Sequence, residues 1–193
     1  MELTVETLNN WMELFAQKVS ANKSYLSELD TPIGDGDHGN NMARGMVAVT
    51  EALQTKHPTE LTASLKLIAM SLISKVGGAA GPLYGTAFLE MAKTSQQTTD
   101  LVELLQAAVL GIKKRGGAKL GDKTLVDVWE VVVTKFPELT SQQIEQAVLA
   151  TKDLEAKKGR ASYLGERSIG HLDPGAVSSG YLFEALLEAE GRL

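Results

Sequence analysis

The chain contains no cysteine, which excludes disulfides, thiolate metal sites and thiol nucleophiles. It also lacks a long apolar run: no stretch approaches the roughly 20 residues that a membrane span needs. The N-terminus, Met1-Glu-Leu-Thr-Val-Glu6, is acidic where a secretion signal would be basic. Basic residues are in deficit, 19 against 24 acidic, for a net charge of −5. That balance argues against a nucleic-acid partner, because phosphate backbones are held by an excess of lysine and arginine. Aromatic residues are scarce at 5%. What is present is 193 residues, 44% of them apolar, enough for one well-buried domain and short for two. The expectation is a single domain spanning 1–193, soluble and cytoplasmic. Its 18 glycines are clustered rather than scattered.

Helical periodicity dominates. Residues 3–19 place Leu8, Trp11, Met12, Phe15 and Val19 on one face, with Thr4 as N-cap and Leu3 and Leu8 as a hydrophobic staple. Met42, Met46, Val49 and Leu53 repeat the spacing, as do Leu61, Leu65, Ile68, Leu72 and Val76. Asp100 with Glu103 reads as a capping pair ahead of Leu101, Leu104, Leu105, Ala108 and Ile112. Residues 124–136 are valine-rich, as in a strand. Yet Leu125, Val128, Trp129, Val132, Val133 and Phe136 follow helical spacing, and thirteen residues is long for a strand. Further helices fit 141–157 and 176–190. No segment reads as a strand and no period of 20–50 residues repeats, so the expected fold is all-α.

Four glycine-rich loops interrupt the helices: 30–41, 77–85, 116–123 and 159–175. An up-down helical array puts alternate connections at the same end, where such loops would form a cup around a ligand. The first loop is the sharpest signal. Asp30, Asp35 and Asp37 fall within eight residues, interleaved with Gly34, Gly36 and Gly39. Carboxylates forced together repel, and a divalent cation relieves the repulsion. An oxygen-only donor set favours a hard ion such as Mg2+. The alternative is a solvated Asp-Gly turn.

Two motif matches fail on context. Gly34-Asp-Gly36-Asp-His-Gly39 has the dinucleotide spacing without a strand before it. Gly116 and Gly121 have the phosphate-loop spacing, but Asp122 displaces Lys123 and Thr124 by one position. A calcium-binding EF-hand loop fails too, because the twelfth position from Asp35 is Met46. The other pieces suit a nucleotide. His38-Gly39-Asn40-Asn41 runs into a helix whose first N–H groups could hold phosphate. Gly77 to Ala80 offers a second close approach to main chain. Arg160 is a candidate phosphate or ribose clamp, and Asp173-Pro174-Gly175 makes a tight turn. His57 and His171 read as structural or surface residues.

Taken in order, Asp30…Gly-Asp35-Gly-Asp37-His-Gly-Asn-Asn41, Gly-Gly-Ala-Ala-Gly-Pro-Leu-Tyr-Gly-Thr, Gly-Asp-Lys-Thr-Leu-Val-Asp127 and Gly-Glu-Arg-Ser-Ile-Gly-His-Leu-Asp-Pro-Gly-Ala176 resemble the nucleotide-binding L subunits of dihydroxyacetone kinases. The resemblance covers essentially the whole chain. It implies an antiparallel barrel of eight helices with the nucleotide in loops at one end. Asp30, Asp35 and Asp37 would carry catalysis by coordinating Mg2+. His38, Gly39, Asn40 and Asn41 with Ala79 and Ala80 would contact phosphates, and Gly116 and Leu125 would lie near adenine. Arg160 and Asp173, Pro174 and Gly175 would complete the site.

A free-standing L subunit further resembles the bacterial phosphotransferase-system version. There, bound ADP accepts phosphate from the phosphohistidine of a DhaM-like donor, and the resulting ATP phosphorylates dihydroxyacetone held by a DhaK-like subunit. Alternatives that need the same cup are a related kinase serving another acceptor, such as a carrier-bound fatty acid, and a nucleotide-state sensor acting on transcription.

Overall fold

The computed structural model describes all 193 residues, Met1–Leu193, and the chain is helical apart from one isolated bridge between Glu2 and Asp100. The helices are α1 (Val5–Ala21), α2 (Lys23–Asp30), α3 (His38–Lys56), α4 (Leu61–Lys75), α5 (Ala80–Thr94), α6 (Leu101–Gly116), α7 (Leu125–Lys135), α8 (Ser141–Ala150) and α9 (Pro174–Ala189), with 3-10 turns at Thr151–Asp153 and Arg160–Ser168. All but α2 pack in a ring. Each touches the next in the chain and α9 closes on α1, while α2 lies against α3 and α9. This is the expected eight-helix barrel, with α2 as a short additional helix. No helix is long and apolar enough to cross a membrane.

Local chemistry explains the starts. Thr4 accepts the Thr7 N–H at 3.0 Å and caps α1. Asp100 caps α6 through the N–H groups of Val102 and Glu103, and also holds the N-terminal amine at 2.7 Å. Thr124 and Asp127 close a reciprocal capping box on α7. The valine-rich segment is therefore a helix, and its buried face is Leu125, Val126, Val128, Trp129 and Val132.

One apolar cluster of 44 buried residues fills the ring. Trp129 packs edge-on against Phe183 with ring centroids 4.7 Å apart, and the Trp11 indole N–H donates to the Leu182 carbonyl at 2.7 Å. A polar chain also runs through the interior. The Tyr84 hydroxyl on α5 lies 2.8 Å from both Ser178 Oγ and Ser179 Oγ on α9. His38 Nε2 on α3 meets Ser178 at 2.9 Å, and the Trp129 indole N–H on α7 donates to Ser179 at 3.0 Å. Four helices are thus fixed in register by paired polar groups, which buried hydroxyls and imidazoles require.

The structure departs from the sequence reading in three places. Helix α2 was not anticipated; it buries only Leu26. The 77–85 segment is not a loop throughout, because α5 begins at Ala80. Gly81 and Gly85 lie inside α5 where a Cβ would come within 2.2 Å of the Val76 carbonyl and of Ile73, respectively, so they serve close packing on α4. Helix α8 stops at Ala150 rather than 157. Thr151 turns inward there, its Oγ donating to the Val148 carbonyl and accepting the Asp173 N–H.

Candidate active site

The connections α2–α3, α4–α5 and α6–α7 and the approach to α9 meet at one end of the barrel around a cavity of about 610 Å3. The acidic loop forms one wall. Helix α2 ends at Asp30, whose carboxylate accepts the N–H groups of Asp37 and His38 at 3.0 and 3.3 Å. The chain thereby doubles back, and carboxylate oxygens of Asp30, Asp35 and Asp37 come within 4.8 Å of one another. Three carboxylates with no nitrogen or sulfur donor fit a hard divalent cation, Mg2+ above all. Arg160, on the 3-10 turn whose Ala161 packs against Ile33, places Nη1 2.7 Å from Asp35 Oδ2.

Four helix N-termini, those of α3, α5, α7 and α9, contribute residues to the cavity wall. Each carries partial positive charge on unpaired N–H groups. Three are neutralised by the chain's own carboxylates. Asp30 serves α3, Asp127 serves α7, and Asp173 accepts the Ala176 N–H at 2.7 Å on α9. The N-cap residues of α3 and α5 make no side-chain cap of their own, but Asp30 takes the first N–H of α3, whereas no side chain accepts from the first turn of α5 at Ala79 and Ala80. An anion in the cavity therefore finds its open helix terminus there.

The expected residues separate into groups. Asp30, Asp35, Asp37, His38, Asn41, Ala79, Ala80, Gly116, Leu125, Arg160, Asp173, Pro174 and Gly175 all line the cavity. Gly39 and Asn40 do not. Gly39 lies where a Cβ would fall 1.9 Å from the Lys23 carbonyl, so it lets α2 and α3 touch, and Asn40 faces solvent. The His38 side chain points to Ser178, and its own N–H is already given to Asp30. Burial holds this imidazole below its usual pKa, so it stays neutral at physiological pH. Asn41 is aligned by Arg44, which donates to its Oδ1 at 2.6 Å and leaves the Nδ2 hydrogens unengaged. Deeper in, Leu83, Ile112, Ala118, Leu125 and Val126 form an apolar slot beside Gly116.

Two residues were missed from sequence. Tyr84 lines the floor, its hydroxyl pKa raised by burial. Lys123 is only 1% exposed. Its ammonium donates to the carbonyls of Thr151, at 2.6 Å, and His171. It ties three loops together behind the cavity, with a backbone φ of 59°. Desolvation lowers its pKa. Asp173 is enclosed enough that burial lifts its carboxyl to about 7.

Comparison with known proteins agrees with this architecture. The family model for the DAK2 domain matches residues 32–188. The chain is 52% identical over 188 residues to the PTS-dependent dihydroxyacetone kinase, ADP-binding subunit DhaL, of Lactococcus lactis, covering 96% of this chain and 98% of that one. It is 40% identical to the ADP-binding subunit DhaL of the PEP-dependent dihydroxyacetone kinase of Escherichia coli, covering 96% and 97%. The dihydroxyacetone kinase of C. freundii in complex with AMP-PNP and Mg2+ superposes with a TM-score of 0.78 at 25% identity. That alignment covers 97% of this chain but 34% of the larger one. On the family match and the identity to these subunits, the chain belongs to the DAK2 domain family.

Proposed function

We propose that this chain, acting as one nucleotide-binding domain in the cytoplasm, is the ADP/ATP-binding subunit of a phosphoenolpyruvate-dependent dihydroxyacetone kinase. When bound, ADP with Mg2+ would supply the phosphoryl carrier between a DhaM-like phosphohistidine donor and dihydroxyacetone on a DhaK-like subunit. The observation that carries this reading is the pairing of Asp30, Asp35 and Asp37, within 4.8 Å of one another, with the uncapped start of α5 on the same cavity. A cation site and an anion site on one cavity are what a metal–polyphosphate demands.

The residues divide the work. Asp30, Asp35 and Asp37 would hold Mg2+, which neutralises charge on the phosphoryl oxygens. Ala79 and Ala80 offer backbone N–H groups to phosphate, and Asn41 offers its amide. The slot of Leu83, Ile112, Ala118, Leu125 and Val126 excludes water and accepts a flat apolar face, which suits a purine base beside Gly116. Arg160 carries positive charge at the mouth, and Asp173 to Gly175 close the wall opposite. Neither His38, neutral and engaged with Ser178, nor Lys123, held by carbonyls, is free to act as nucleophile or general base. The chain's contribution is electrostatic, and activation of the acceptor hydroxyl falls to the partner.

The test is the nucleotide content of the purified protein. After exhaustive dialysis with magnesium and denaturation, the released molecules are identified by chromatography and mass spectrometry. Near-stoichiometric ADP is expected. Protein that emerges empty and binds ATP only transiently would overturn the reading of a retained carrier.

A further inference from the structure

Near its start, α3 brings Asn41 to the cavity wall, and Arg44, three residues on, lies exposed on the outside. Residues three apart are neighbours on a helix surface. Arg44 Nη2 donates to Asn41 Oδ1 at 2.6 Å, while its Nε donates to the Lys75 carbonyl at 2.9 Å. That carbonyl belongs to the last turn of α4, where C=O groups have no partner within the helix. One guanidinium thus ties the start of α3 to the end of α4, just before Gly77-Gly78-Ala79-Ala80. None of the chain's ion pairs includes Arg44, so both of its acceptors are neutral and no carboxylate cancels its charge.

This arrangement decides which way the Asn41 amide faces. A guanidinium carries only donors, so the atom turned toward it is the amide oxygen, and the Nδ2 hydrogens are left for another partner. Gly77 sets the plane of the amide. A Cβ at that position would fall 2.7 Å from Asn41 Oδ1 and 2.9 Å from Nδ2, so the side chain lies against bare backbone. Asn41 is 7% exposed, yet nothing in the chain accepts its Nδ2 hydrogens. Buried donors without a partner are costly, and a ligand oxygen in the cavity would relieve them. A cation bonded to the oxygen of the same amide also polarises it and strengthens those donors.

We propose that Arg44 is a positioning residue for phosphate binding: by holding Asn41 Oδ1 and the Lys75 carbonyl together, it presents the Asn41 amide hydrogens to the cavity and fixes the α3 wall against the α4–α5 turn. The inference rests on the nucleotide reading, in which Asn41 offers its amide to phosphate. Arg44 does not line the cavity and acts through Asn41. The planar fork is what the task requires, because a lysine ammonium is a point donor that cannot hold two acceptors in one fixed plane.

The test compares the full chain, stripped of nucleotide, with its Arg44→Met, Arg44→Lys and Gly77→Ala variants. Calorimetry measures ADP-Mg2+, adenosine and Mg2+ separately. Arg44→Met and Gly77→Ala should each weaken ADP-Mg2+ about tenfold, the loss of one oriented, charge-assisted contact. Affinities for adenosine, which has no phosphate, and for Mg2+ alone should be unchanged. Arg44→Lys should fail to restore wild-type ADP affinity. In the ligand-free protein, the side-chain amide resonances of Asn41 should move in Arg44→Met toward those of solvated asparagine. Unaltered ADP affinity in Arg44→Met overturns the proposal, as does full recovery by lysine. Equal weakening of adenosine or Mg2+ also overturns it, since that pattern marks a general loosening of the wall. Should the wild type bind no ADP, the nucleotide reading fails on its own, and the amide resonances still decide whether Arg44 orients Asn41.

Discussion

Arg160 sits 2.7 Å from Asp35, so the one cation paired with the acidic triad comes from the 3-10 turn that packs, through Ala161, against Ile33 of the acidic loop. Both groups are substantially exposed, and exposed ion pairs contribute between nothing and about 1 kcal/mol to stability. The pair matters for ligands instead. On the proposed function, it would hold the triad's charge in check until a metal and a phosphate replace each partner. Arg160→Ala should leave the melting temperature nearly unchanged and weaken ATP binding by roughly tenfold, the loss of one charge-assisted contact. It should also strengthen Mg2+ binding to the nucleotide-free protein. Calorimetry with each ligand separately would show it, and weaker Mg2+ binding in the variant would refute the competition.

The three aspartates are not equivalent. Asp35 and Asp37 use their side chains only toward the cavity and Arg160, whereas Asp30 also holds the main-chain N–H groups of Asp37 and His38. Asp35→Ala or Asp37→Ala should abolish phosphoryl transfer with the helical fold intact. Asp30→Ala should abolish transfer and also lower stability by about 1–3 kcal/mol, because charge-accepting hydrogen bonds are lost. Denaturant titration of the three variants separates the roles, and full activity in the Asp35 or Asp37 variant would refute the metal site.

Lys123 is a load on the fold and a tie between loops. Lys123→Met keeps the length of the side chain but strands the carbonyls of Thr151 and His171. Leaving buried acceptors unpaired costs about 1–3 kcal/mol each. The expected outcome is a clear drop in unfolding free energy, with proteolysis beginning in the 151–173 segment. A variant as stable as the wild type would show that these carbonyls find other partners.

Stability should carry two opposing pH terms. Asp173, lifted to about 7 by burial, binds its proton more tightly folded than unfolded. Its contribution is therefore present below the ordinary carboxylate range and is lost as pH rises toward 7. His38 has its pKa lowered by burial. It contributes stability above the ordinary imidazole pKa near 6.5 that is lost on acidification. Asp173→Asn keeps a competent N-cap for α9 and removes the first term. Melting temperatures of the ligand-free variant, followed from pH 5 to 8, should fall more steeply with acid than those of the wild type. Identical profiles would refute the burial of Asp173 as a charged cost.

Much of this was legible in the sequence because period and punctuation agreed. The seam Leu125, Val128, Trp129, Val132 outvoted the strand propensity of its valines, and the structure adds the Thr124–Asp127 capping box that starts the helix where the pattern begins. The acidic loop could be read because its chemistry is local: three carboxylates in eight residues need no long-range contact to be noticed. What escaped was set by packing at a distance. Gly39, Gly81 and Gly85 look like loop glycines, yet each marks a close approach between backbone and a neighbouring element. Lys123 looks like a surface lysine until the 151–173 segment folds over it. The uncapped state of α5 became informative only beside three capped neighbours.

The hydrogen-bonded chain His38–Ser178–Tyr84, continued through Ser179 to Trp129, has a mechanical consequence. Sliding α3, α5, α7 or α9 by even one residue would break several of its bonds at once, so the base of the cavity behaves as a fixed anvil. Any yielding needed for a nucleotide to enter or leave must come from the 117–124 and 157–173 segments above it. The residence time of the ligand then becomes a property of how often those segments part, separable from how tightly the base grips.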